Sequence, residues 1–319
     1  MVHLLSIWRV RLLTISTTIL LVACNHDISA RIDHRLAFGS MTSNISSLEM
    51  KFEPVPQNKS GGKTATVLSR IKVDKQRNQD LNDEWVKIPA GPYIYGKDDQ
   101  KISIEYEYSI MTYEVTNGQY QRFLNNAWAD NKLGLTNDTT VQGYFAGDKF
   151  WNPGDREYLD LDDKDCRIHF EDDQFIVDEG FEAHPVVEVT WFGANAFSSF
   201  YGWKLPSERA WEKAARGPSG FRYPWGDDEP ICEQANSYDC KKMTREVYSN
   251  VGLSPYGAAN MAGNVSEWTR SYFSNRTHVK VVRGGGWDGL NGNLLSYRRD
   301  NEIPIESTKS LGFRCIKLQ

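Results

Sequence analysis

Glycine, proline and asparagine break up the second half of this chain so often that long helices have no room there. From Gly217 to the C-terminus these residues and Trp dominate, and short strands among long loops are expected. The whole chain of 319 residues carries 10 Trp, 15 Tyr and 14 Phe beside 25 Gly and 12 Pro. Such a composition points to aromatic packing between many loops rather than to long amphipathic helices. Hydrophobic residues at 40% and a mean hydropathy of -0.55 exclude both a polytopic membrane protein and a fully disordered chain. The length fits one large or two ordinary domains. The net charge of -5 gives no long-range attraction to phosphate backbones, so general nucleic-acid binding is not expected. There are no internal repeats.

The N-terminus reads as an address. Arg9 and Arg11 precede an apolar run over residues 12–23, which is shorter than the roughly 20 residues of a membrane-spanning helix. It suits the apolar region of a signal peptide, residues 1–23. The run ends Leu21-Val22-Ala23-Cys24, which resembles a bacterial lipobox. On that reading Cys24 becomes the acylated N-terminus. Asn25 in place of Asp resembles outer-membrane sorting, facing the periplasm or the surface. The expected partner is therefore the membrane, through Cys24. Residues 24–82 show no sustained period of 2 or 3.6 and are expected to form a mostly disordered tether. A coil of that length averages roughly 40 Å end to end. Outside the inner membrane disulfides persist. Cys232 and Cys240 are the most plausible pair, while Cys166 and Cys315 either pair or stay as thiols. No CxxC, HExxH or His-rich tract supports zinc.

One domain is expected over 83–319. Trp85 to Gly91 reads as a strand into a turn, and Ile102 to Met111 as a second strand. Thr116 caps a helix over 117–127, with Tyr120, Phe123, Leu124 and Trp128 on one face. Residues 129–183 read as loop-rich and acidic, and the run 160–173 as a solvated loop. Val186 to Val189 reads as a short strand. Thr190 caps a helix to Tyr201 that Gly202 ends, and Ser207 caps another that Gly217 stops.

Several blocks carry a resemblance. They are Pro89-Ala90-Gly91, Tyr113 to Tyr120, His184 to Trp191, Leu205 to Gly217 and Tyr223 to Gly226, then Gly263 to Trp268, Arg283 to Trp287 and Gly312 to Arg314. Together and in order they resemble the formylglycine-generating enzyme / sulfatase-modifying-factor domain. The resemblance implies an α+β domain with a C-type-lectin-like core, short helices, short antiparallel strands and little regular secondary structure.

Formylglycine-generating enzymes oxidise a peptide cysteine with copper held by two thiolates, a soft ligand pair that suits Cu(I). In this chain the two cysteine positions fall at Gly289 and Leu294, and the serine of the preceding turn at Gly286. No Cys lies between 241 and 314, so copper-dependent oxidation is not expected. The family's disulfide partner of Cys315 corresponds to Ala215. The related nonheme-iron branch, including ergothioneine-synthesis enzymes, needs a helical domain and histidines that residues 25–82 do not supply. The resemblance does imply structural calcium, which takes hard oxygen ligands. It maps to the side chains of Asn260 and Glu267 with the carbonyls of Gly263 and Val265, and more weakly to Asn236, Ser237 and Asp239.

Trp287, Asn291, Asn293, Tyr297 and Arg298 are the candidate ligand-binding residues. Arg283, Arg299 and Arg314 serve either recognition of an acidic ligand or salt bridges that lock loops. Three functions compete. The first is a non-catalytic, lipid-anchored binding or assembly component of the cell envelope with a protein or peptide partner. The second is an oxidase of the formylglycine type or a related oxidoreductase. The third is a variable ligand-binding protein of a diversity-generating retroelement, its variation falling within 288–301.

Overall fold

The computed structural model describes residues 84–318 apart from Ser249. The signal peptide, the tether and Cys24 lie outside the described residues.

Among the described residues, three short α-helices form where the capping chemistry places them. Helix α1 runs Asn117–Ala129. The Thr116 hydroxyl accepts from the Gln119 amide at 3.1 Å, and the Gln119 side chain accepts from the Thr116 amide at 2.9 Å. This reciprocal pair satisfies two orphan donors of the first turn. Helix α2, Trp191–Phe200, starts at Thr190, and α3, Glu208–Arg216, at Ser207. Gly217 follows α3 at φ 64°, a conformation that costs glycine little.

The strands are short and mostly antiparallel. Strand β1, Trp85–Ile88, lies beside β4, Tyr108–Met111, which also pairs with β14, Ile316–Leu318. The two ends of the described chain thus meet on one strand. Strands β2, Gly91–Tyr95, and β3, Gln100–Ile104, form a hairpin. The single strand expected over Ile102 to Met111 is broken between β3 and β4 at Glu105 to Glu107.

Residues 129–183 differ from the loop reading. They hold strands β5, Leu133–Thr136, β6, Thr140–Phe145, and β7, Gly154–Asp160, then β8, Ile168–Glu171, and β9, Gln174–Val177. The pairs Asn137-Asp138 and Asp172-Asp173 all sit at positive φ, between 49° and 63°. Consecutive left-handed residues make the primed turns that join twisted strands tightly. The acidic run therefore includes turn chemistry. Val186 to Val189, expected as a strand, makes only isolated bridges, and Glu188 at φ 54° turns the chain out of the extended region. A last sheet orders β12, β11, β10 and β13, which are Asp300–Glu302, Lys280–Arg283, Ser266–Tyr272 and Leu311–Gly312. Within it β13 runs parallel to β10.

Two cores result. In the first, α1 and α2 interlock through aromatic rings: Phe197 lies 5.9 Å from Tyr120 and 5.3 Å from Phe313. Gly193 lets α2 approach β7 closely, since a Cβ there would lie 2.4 Å from the Tyr158 carbonyl. In the second, Ala210, Trp211, Ala214 and Ala215 of α3 pack against Ile88, Tyr93, Ile110 and Ile316.

Three arginines, Arg216, Arg283 and Arg314, are buried with their charges paired. Arg314 uses all five N–H groups: Glu267 takes Nε and Nη2, and the carbonyls of Met111, Thr112 and Ala259 take the rest. Arg283 reaches Glu208 at 2.6 Å, Glu212 at 2.5 Å and the Ser296 carbonyl at 2.6 Å. Arg216 joins Glu212 to Asp99. Removing one partner of such a pair strands its mate in low dielectric, at a cost of about 3–5 kcal/mol. Arg283→Leu should therefore lose about 3 kcal/mol or more in denaturant unfolding. A loss under about 1 kcal/mol would show that these pairs do not hold β11 to α3.

Candidate functional site

The loop that carries copper cysteines in the resembling family is closed by backbone bonds here. After β11, Gly284 and Gly285 take φ 94° and 72°. A Cβ at Gly285 would lie 2.8 Å from the Asn293 carbonyl, so the loop folds back on itself. The Gly289 amide donates to the Gly286 carbonyl at 2.9 Å, and the Gly289 carbonyl accepts from Tyr238 at 3.0 Å. Residues Asn291–Leu294 form a 3-10 turn. Leu294 is fully buried in a cluster with Tyr223, Ala235 and Ala262. One cysteine position thus has no side chain, and the other points into apolar packing.

The candidate ligand residues do not share one site. Trp287 is half-buried and lines a cavity of about 250 Å³ with Phe181, Pro185 and Thr244. Its indole N–H donates to the Lys309 carbonyl at 3.1 Å. Tyr297 and Arg298 line a different cavity of about 480 Å³ with Tyr95 and Arg299. Arg298 pairs there with Asp300 at 2.8 Å. Asn291 accepts from the Ser237 hydroxyl at 3.2 Å, and Asn293 packs under Gly285. Within 288–301, Leu294 and Ser296 are buried, so part of this stretch is packing rather than free surface. Arg283 and Arg314 are buried structural cations, and Arg299 pairs with Glu208.

The donor sets mapped for calcium meet prior commitments. Asn260 Oδ1 is buried with no hydrogen-bond partner, as an oxygen awaiting a cation would be. Glu267, the only anion of the four, is not free. Both its oxygens accept from Arg314, and Oε2 also accepts from Trp211 at 2.8 Å. Arg314 supplies the positive charge that calcium would bring, so the set of Asn260, Gly263, Val265 and Glu267 does not fit the ion as it stands. In the weaker set, Asn236 donates to the Met243 carbonyl and accepts from Lys241, while Asp239 is exposed to solvent. The Ser237 carbonyl, the ligand atom expected of that residue, accepts from the Cys240 amide at 2.9 Å.

A disulfide joins Cys232 and Cys240. Cys166 and Cys315 are buried thiols, and burial pushes the Cys166 thiol up to about 12. His184 bonds Thr244 at 2.8 Å, and His169 bonds Asp178 at 2.7 Å. Trp268 is fully buried and Trp225 stacks on Tyr223, both as packing residues.

Sequence reasoning missed one acidic group. Carboxylate oxygens of Asp163, Asp165 and Glu188 lie within 4.8 Å of one another. Glu188 is distant in sequence and buried, so nothing in the run 160–173 announces it. Its carboxyl is pushed up to about 7, first by burial and then by the Asp163 charge, although Ser307 donates to it at 3.0 Å. Phe181, Arg167, Lys242 and Lys309 were also missed, because they reach the Trp287 cavity from separate segments.

Short helices and strands wrapped around aromatic cores, with a long Gly-rich C-terminal stretch, define a C-type lectin-like domain. The chain belongs to the family of the sulfatase-modifying factor enzyme 1-like domain, which matches residues 71–319. It is similar to the serine/threonine-protein kinase pkn1 of Chlamydia caviae, with 29% identity over 269 residues, covering 76% of this chain and 39% of that protein. It is also similar to the inactive C-alpha-formylglycine-generating enzyme 2 of Bos taurus, with 34% identity over 150 residues, or 41% of this chain and 49% of that one. The chain thus spans less than half the length of either relative. Among solved structures, Treponema denticola variable protein 1 shares the fold. Its TM-score is 0.52 at 19% identity, over 74% of this chain and 95% of that one.

Glu188 gives a pH prediction. Its carboxyl titrates near 4.5 when unfolded and near 7 when folded, so between these values the native state binds the extra proton. Stability from this group is therefore lost as pH rises through about 4.5–7. Glu188→Gln should match the wild type near pH 4.5 and exceed it by at most about 3 kcal/mol at pH 8. Thermal melts across that range read the difference. A gap that stays constant with pH would exclude Glu188 as the titrating group.

Proposed function

We propose that this chain is a non-catalytic binding or assembly component of the bacterial cell envelope, held at the membrane by an acylated Cys24. The observation that carries the reading is the burial of Leu294 in apolar packing beside a Gly289 that has no side chain. A copper oxidase of the formylglycine type needs two thiolates on this loop, and these positions offer none. The buried Cys166 does not replace them, since it lies within the first apolar core, where burial also raises its thiol. The name of the bovine relative, an inactive enzyme of the same family, agrees with this reading.

The test is turnover. Purified full-length protein, supplied with Cu(I), oxygen and a cysteine-containing sulfatase peptide, should give no aldehyde above a protein-free control by mass spectrometry. Saturable conversion of the peptide cysteine would sink the non-catalytic reading and restore the oxidase.

Anchoring is tested separately. The support is the apolar run 12–23 ending at Cys24. Acyl chains contribute about 0.8 kcal/mol per buried CH₂. Cys24→Ala should move the protein from the detergent-extracted fraction to the aqueous or unprocessed one. Unchanged fractionation would remove the lipid anchor from the proposal.

A further inference from the structure

We propose that the cavity beside Trp287 recognises a carboxylate attached to an apolar body, either a peptide C-terminus or a small organic acid. The inference rests on the binding-protein reading above and names the ligand class for that role.

The cavity, of about 250 Å³, admits the tip of a peptide or a small acid rather than a large cofactor. Its lining is mixed, with charged and polar groups beside two aromatic rings, Trp287 and Phe181, both half-buried there. Four cations and one carboxylate line it, in a chain whose net charge is -5. The local sign is therefore opposite to that of the whole molecule.

The single acid, Asp165, is already paired with Lys164 at 2.9 Å. Arg167 shares Asp178 at 3.6 Å. Lys242 and Lys309 have no carboxylate partner among the described residues. Lys242 donates instead to the Tyr238 carbonyl, and the Lys309 ammonium lies 4.8 Å from the centre of the Trp287 ring. Arg167 lies 4.5 Å from the centre of the Phe181 ring.

Each of the two rings thus carries a cation over its face. A ligand packing its apolar part against the ring surface that stays exposed beside these cations would place an acidic end against Lys309 and Arg167. Positive charge gathered in a concave site, with Lys309 lacking a carboxylate partner among the described residues, focuses its field on such an end. The rings distinguish an organic carboxylate from a bare inorganic anion, which would leave their exposed surface uncovered.

Calorimetry on the full-length protein at low salt tests this with 3-phenylpropionate against its amide. A second arm uses acetyl-Ala-Ala-Phe with a free C-terminus against the C-terminal amide. Inorganic phosphate is the third probe. At least one acid should bind about tenfold more tightly than its amide, as loss of a charge-assisted contact implies. Lys309→Gln should abolish that preference, and Lys309→Arg should restore it. Arg167→Gln serves as an independent variant if Lys309→Gln does not fold.

Preference for the peptide acid alone identifies a chain terminus, and preference for the free acid alone identifies a small molecule. Equal binding of acid and amide, binding of neither, or phosphate binding as tight as the acid would overturn the proposal. So would an acid preference unchanged in the Lys309→Gln and Arg167→Gln variants. None of these results bears on peptide oxidation, which the copper assay reads independently.

Discussion

The fork between Arg314 and Glu267 organises the centre of the domain. Arg314 follows β13, Glu267 lies in β10, and the remaining guanidinium hydrogens bind carbonyls at the end of β4 and in the loop before β10. A fully satisfied buried cation holds four segments that have little other reason to meet, since loops offer few ladder bonds. Trp211 extends the arrangement. Its indole donates to Glu267, while its ring lies 5.3 Å from the Arg283 guanidinium. Arg283 in turn ties β11 to Glu208 and Glu212 of α3. The Gly-rich loop that follows is thereby fixed at its start.

The same interaction explains why the mapped calcium ligands do not form a free cage. A carboxylate already forked to a guanidinium and bonded to an indole has little capacity for a divalent ion. The Asn260 side chain shows the other side of this arrangement. Its amide nitrogen donates to Glu114 and to the Val247 carbonyl, which leaves its own oxygen buried and unpartnered. Burial raises the Glu114 carboxyl to about 7, although Arg314 opposes the shift.

Much of the fold was legible because its signals are local. Thr116, Thr190 and Ser207 each satisfy an amide three residues on, so the three helix starts could be read from spacing. The hairpins within 129–183 were also written locally, in Asn137-Asp138 and Asp172-Asp173. They were overlooked because acidic turn residues look like solvated loop. The failure at Val186 to Val189 has a different cause. β-Branched residues suggest a strand, but pairing depends on a neighbour, and Glu188 takes a left-handed conformation that ends the extended run.

The sequence by itself determined the family, the helix boundaries, the glycines where the loop turns back, and the lack of a thiol at positions 289 and 294. These are properties of residue type and short spacing. Only the tertiary structure decided which side chains meet. It separated Trp287 from Tyr297 and Arg298, turned Leu294 into packing, and gave Glu267 to Arg314. It also gathered Arg167, Phe181, Lys242 and Lys309 around one cavity. The reason is geometric. Long-range contacts between loops are set by the packing of the elements that carry them, and no local period encodes that distance.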